Sequence, residues 1–154
     1  TIADLTEQFI KAQISFDDVL QIAKSKKIVY APDATMQAML SDVQGRTLVI
    51  EPGIGYREEQ SKYSLITNYS LMKPESTKDF IVSGDDRYER ALPLLDNYKS
   101  KFSLSNAFEL LYTVRQEGEW ATRVSFVYSA NDQTVYYVEN NNFEHIRKFK
   151  FLPV

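Results

Sequence analysis

At the start of the chain, apolar residues recur every three or four positions: Ile2, Leu5, Phe9 and Ala12, with Asp4, Glu7, Gln8 and Lys11 between them. That period predicts an amphipathic helix, led into by Thr1. Ser15 and Asp18 then stand at capping-box spacing, and Phe16, Val19, Leu20 and Ala23 form the apolar stripe of a second helix. Lys24, Lys26 and Lys27 suit its C-terminal end, where the helix dipole favours positive charge. Beyond Ala31, Pro32 and Asp33 the period shortens. Residues 36–40 and 46–51 read as two strands joined across Asp42 and Gly45 in a hairpin. Gly53 and Gly55 punctuate a polar stretch holding Arg57, Glu58 and Glu59, after which residues 63–67 read as a strand that delivers Asn68 at its end.

Residues 73–78 are the most loop-like part of the chain, and Ser83, Gly84 and Asp85 mark a helix start from which Tyr88, Ala91, Leu92 and Leu95 share a face. Pro93 is expected to kink or interrupt that helix. Ser103 opens a further helix with Leu104, Ala107, Phe108, Leu111 and Val114 inward, for which Gly118 is the expected stop. Residues 120–128, 134–139 and 144–151 then read as an antiparallel meander, turning at 130–132 and 140–142. In its first strand Val124, Phe126 and Tyr128 alternate with Arg123, Ser125 and Val127, so both faces carry apolar groups and cover on both sides is expected. The fold class that follows is α+β, with largely antiparallel sheets and helices packed on them, in one domain spanning residues 1–154.

Composition narrows the chemistry. Eighteen Lys and Arg against twenty-one Asp and Glu leave a net charge of -3 without a basic block, so nucleic acid is not an expected partner. With no Cys there is no disulfide, thiolate metal site or cysteine nucleophile within the chain, and a single histidine, His145, excludes motifs that need two. No metal site is supported and no cofactor is implied. His145, read as a strand residue near Phe143, Ile146 and Phe149, is expected to be a packed or surface residue. No stretch approaches the length of a membrane helix. A disulfide-free chain suits either cytosol or export, and the reading leans to the cytosol.

The order of elements carries a resemblance. Asp42, Gly45, Thr47, Val49, Ile50 and Glu51 fit a D-x-x-G-x-[ST]-x-V-[IV]-E strand pair, Thr67 and Asn68 form a T-N element at a strand end, and Arg87, Tyr88 and Arg90 form an Arg-aromatic-x-Arg helix start. The terminal hairpin, Thr122 to Phe126 and Tyr136 to Glu139, follows in the same order. Across about residues 16 to 151 the chain resembles the choloylglycine hydrolase family of linear amide C-N hydrolases, which are N-terminal nucleophile hydrolases. The resemblance implies part of an αββα sandwich. What the chain lacks is the family's first strands and the N-terminal cysteine that is both nucleophile and, through its amine, proton acceptor, so it looks like a C-terminal portion of a larger amidase domain. The missing N-terminal part is then its partner, a small amide its substrate, and self-association an expected result of an uncovered sheet face and edge.

The same resemblance implies site residues. Asn68 would polarise the scissile carbonyl, since a carboxamide N–H aimed at a developing oxyanion stabilises it. Arg87 would be the arginine that favours the thiolate, with Arg90 as its rival three residues on. Without the resemblance, Asn68 reads as a turn residue and the two arginines as local ion pairs with Asp85, Asp86 and Glu89. Asp42 and Glu51 resemble an acid/base pair but, at a turn and a strand end, are expected to fix local structure. Thr1 has the hydroxyl and amine of an N-terminal nucleophile, yet it precedes a helix where such a nucleophile must begin a strand, so that role is rejected. The alternative function is a noncatalytic α+β module that binds a small apolar ligand or a protein through aromatics such as Tyr56, Tyr63, Tyr69, Trp120, Tyr136 and Tyr137.

Overall fold

The computed structural model describes residues 1–32, 36–76, 86–98 and 101–151. Among the described residues it is an α+β protein with four α-helices and two three-stranded antiparallel sheets. The chain divides into two compact units, Thr1–Asp85 and Asp86–Val154.

In the first unit, α1 (Ile2–Ile10) begins at a reciprocal cap: Asp4 N donates to Thr1 Oγ1 at 3.3 Å, and Thr1 Oγ1 donates to the Asp4 carboxylate at 2.7 Å. Helix α2 (Phe16–Ser25) repeats the device with Ser15 and Asp18, as the sequence pattern predicts. Ala12 lies beyond α1 with φ of 54°, so the helical stripe closes at Phe9. Strands β1 (Ala38–Ser41), β2 (Thr47–Glu51) and β3 (Gly55–Glu59) lie in that order, with Leu40 opposite Leu48 and Ile50 opposite Tyr56. Alternation places Ala38, Leu40, Leu48 and Ile50 on one face, where they join Ile2, Leu5, Phe16, Val19 and Leu20 in a single core. Each fully buried aliphatic side chain there stabilises the unit by about 1.5–3 kcal/mol. Thr47, Val49 and Glu51 consequently point to the opposite face.

Two sequence expectations change in this unit. The charged stretch after Gly53 is strand β3, paired antiparallel to β2, with Arg57 bonded to Glu59 at 2.5 Å along the strand and Glu58 3.5 Å from Lys24 of α2. Residues 63–67 do not join a ladder: alternation is present, but no described strand pairs with them. The β1–β2 hairpin matches its prediction. Gly45 turns the chain at φ of 80°, a conformation that L side chains resist, and the Asp42 carboxylate accepts from Gln44 N at 2.9 Å and Arg46 N at 3.0 Å. Arg46 Nε donates to Asp42 at 2.7 Å while Nη1 reaches Asp17 at 2.7 Å, tying the turn to α2.

In the second unit, α3 (Arg87–Asn97) runs through Pro93 without interruption. Its expected start at Ser83, Gly84 and Asp85 lies outside the described residues, as do Asp33, Thr77 and Lys78. Helix α4 (Leu104–Thr113) is capped by Ser103 and stops before Gly118, which instead opens a 3-10 turn, Gly118–Trp120, at φ of 75°. Strands β4 (Val124–Ser129), β5 (Thr134–Glu139) and β6 (Arg147–Lys150) form the predicted meander. Trp120 precedes β4 instead of belonging to it, and His145 lies in the turn before β6, exposed, with Nδ1 3.2 Å from Asn142 Oδ1. Asn140 and Asn141 turn the chain at φ of 52° and 58°, as asparagine tolerates best among non-glycine residues.

Two-sided cover of this second sheet is not found. Ser125, Thr134 and Val138 are buried on the one face, whereas on the other Phe126 opposes Tyr137 and Tyr128 opposes Val135, itself opposite Phe149. Phe126 is 64% exposed and Phe149 59%, so the described residues supply no layer over that face.

Candidate functional site

Asn68 follows residues 63–67, which are half-buried and lie in no described strand, and is itself exposed. Thr67 Oγ1 donates to its Oδ1 at 3.0 Å, which holds the carbonyl end of the carboxamide. The next two residues, Tyr69 and Ser70, are buried. From there the chain is held by Glu51, the last residue of β2, which is 1% exposed. Ser70 Oγ donates to Glu51 Oε2, and Leu71 N and Met72 N donate to Oε1 at 3.0 and 3.3 Å. Ser70 Oγ in turn accepts from Lys73 N at 2.8 Å. A carboxylate out of water is costly unless hydrogen bonds surround it, and this one is met by consecutive donors from a single turn. Acid/base chemistry for Asp42 and Glu51 therefore gains nothing here: one carboxylate caps the hairpin and the other ties down residues 70–72.

No match to this chain is found among family models, curated proteins or solved structures.

Arg87 belongs to the second unit, at the first turn of α3, and is half-buried. Its rival is engaged elsewhere: Arg90 Nε donates to Asp86 Oδ1 at 2.9 Å, and Nη1 donates to the carbonyl of Thr113 at the end of α4. Arg90 thus closes one orphan carbonyl of α4 and joins the two helices. A cation at the N-terminal turn of a helix gains nothing from the dipole. Thr1 is the N-cap of α1, its hydroxyl bonded to Asp4, so it leads into a helix as the sequence pattern predicts.

A cleft of about 320 Å³ opens in the first unit beside the end of α2, lined by Lys26, Lys27, Ile28, Ile54 and Tyr56 among others. Asn68 is not part of its lining. Among the described residues no group of three or more His, Cys, Asp or Glu is placed to hold a metal ion, and no helix is long and apolar enough to cross a membrane. Glu51 fixes local structure as expected, but the sequence pattern did not identify the groups it holds. An acid closing the apolar run Leu48, Val49, Ile50 was the available signal, but its partners lie 19 to 21 residues on.

Proposed function

We propose that this chain is the C-terminal portion of a cysteine-type N-terminal nucleophile amidase that hydrolyses a linear amide C-N bond, of the bile-salt, penicillin V or N-acyl amino acid type. The observation that carries the reading is Asn68: an exposed carboxamide at the head of an anchored turn, in the position that the ordered motifs from Asp42 to Glu139 assign to it. In the complete enzyme the cysteine of the upstream part attacks the carbonyl carbon while its α-amine takes the thiol proton. The Asn68 Nδ2–H donates to the oxyanion, the C-N bond breaks, and the amine returns the proton to the leaving nitrogen. Water then hydrolyses the thioester. Arg87 supplies the fixed positive charge that favours the thiolate.

The test is amide hydrolysis by the full-length protein, with Asn68→Ala as its control. The isolated 154-residue chain is expected to be inactive; hydrolysis by that chain which persists in Thr1→Ala defeats the reading. A second reading is favoured by the exposed aromatic face around Phe126 and Phe149: a noncatalytic module that binds a small apolar ligand or a protein through its sheet. It makes Asn68 replaceable and Phe126→Ser disabling.

A further inference from the structure

We propose that the cleft at the end of α2 is a binding site for a small organic anion, a molecule with one anionic head and an apolar body. The proposal does not depend on the amidase reading. The lining comes from Ala23 of α2, from Lys26, Lys27 and Ile28 just past that helix, and from Ile54 and Tyr56 at the entry to β3. A volume of about 320 Å³ stands at the lower end of the roughly 300–1,000 Å³ of small-molecule sites. The backbone that carries these residues is pinned. The carbonyl of Val29 accepts from Ile2 N at 2.9 Å, and the carbonyl of Ile28 accepts from Gly53 N at 2.9 Å. The second bond ties the segment after α2 to the turn that holds Ile54. Ile28 and Tyr56 pack against the core cluster while lining the cleft, so the apolar wall is held by the core. A wall already in place costs little ordering when a ligand enters.

Charge gives the class of ligand. Lys24, in the last turn of α2, complements the helix dipole and pairs with Glu58 at 3.5 Å. Lys26 and Lys27 are exposed, and neither forms an ion pair among the described residues. The acid that also lines the cleft, Glu51, is 1% exposed, and its carboxylate accepts from Ser70 Oγ, Leu71 N and Met72 N. It therefore claims neither lysine. Two cations stand against one buried acid, and that excess attracts an anion. Lysine stems cover apolar surface while their ammonium groups stay in water, which sets positive charge at the rim of an apolar floor. A carboxylate on an aromatic or branched aliphatic body uses both, with the Tyr56 ring to pack against. An inorganic anion leaves the floor unused, and a neutral molecule leaves the lysines unused.

The experiment titrates the isotopically labelled full-length protein with 2-naphthoate and follows the methyl resonances of Ile28 and Ile54. Two comparison probes divide the ligand: 2-naphthamide has the same body without the charge, and inorganic phosphate has charge without the body. Naphthoate is expected to move both isoleucines saturably at millimolar concentration or below, and each comparison probe to bind at least about tenfold more weakly. Added salt should weaken naphthoate and leave naphthamide unchanged. The double variant Lys26→Gln with Lys27→Gln is expected to raise the Kd for naphthoate by about tenfold at an unchanged melting temperature, since both side chains are exposed. Naphthoate that leaves Ile28 and Ile54 unmoved, or moves only residues of the exposed sheet face around Phe126 and Phe149, overturns the proposal. Naphthamide bound as tightly as naphthoate, or a double variant with unchanged Kd, overturns the anionic head. Phosphate bound as tightly overturns the apolar body.

Discussion

Asn68→Ala separates catalysis from local structure by the size of two free energies. The side chain is exposed, so groups that bonded to it exchange the bond for water; the Thr67 Oγ1 contact at 3.0 Å is of this kind. A surface change of that type costs within about 0.5 kcal/mol and at most about 1 kcal/mol. For a chain of this size that is a melting shift of no more than about 2–4 °C. Loss of an oxyanion donor costs about 2.7–4 kcal/mol of transition-state stabilisation, a fall of roughly a hundred- to a thousandfold in kcat. The assay is a progress curve on an N-acyl amino acid with the full-length protein, beside a thermal melt. Asn68→Asp sharpens it, since a near-isosteric anion repels the developing oxyanion; it should match or exceed the loss with Ala. Activity within about threefold of the unmodified protein refutes the oxyanion role, and a melting loss near 10 °C refutes the claim that Asn68 carries little structure.

The hairpin carries a pH dependence. Partial desolvation pushes the Asp42 carboxyl up, but the bonds from the Arg46 side chain and from Arg46 and Gln44 N–H outweigh it and hold the group below its ordinary 3.8. With the folded value depressed, its contribution is complete above 3.8 and is lost as pH falls through the folded value, so melts of Asp42→Ala should lack that part of the acid-side decline. Arg90→Ala should destabilise the second unit by about 1–2 kcal/mol in a urea titration, because it leaves the Thr113 carbonyl without its charged donor, whereas Arg87→Ala should lower amidase activity more than stability. The isolated chain should self-associate through its aromatic face, and Phe126→Ser with Phe149→Ser should lower its weight-average mass in sedimentation, since each buried ring is worth about 1.5–3 kcal/mol to an association.

Where the sequence pattern predicts elements well, the signal is local. Ser15 with Asp18 and Ser103 with Asn106 satisfy backbone donors within one turn, and both helices begin there. Asp42 and Gly45 fix the first hairpin in the same way. Where the pattern misleads, the deciding partner is distant in sequence. Strand β3 carries Arg57, Glu58 and Glu59 because it is the edge of its sheet, where charge is tolerated and guards against further pairing. Helix α4 ends at Thr113, well short of Gly118, where Arg90 of α3 takes the carbonyl and Thr113 Oγ1 bonds Glu109 O at 2.9 Å. Strand β4 begins only at Val124, after Thr122 Oγ1 has accepted from Gln116 N at 2.9 Å.

The candidate site follows the same division. Asn68 stood out only through the order of motifs, because an asparagine after an extended run is locally a turn residue. Glu51 had only a weak local signature, an acid closing the apolar run Leu48, Val49, Ile50, since a buried acid at a strand end gains meaning from the donors it meets. Those donors explain why a carboxylate holds the turn. Apolar burial, as at Tyr69, is non-directional and lets a segment slide, whereas hydrogen bonds from Ser70, Leu71 and Met72 to one carboxylate fix its distance and its orientation together.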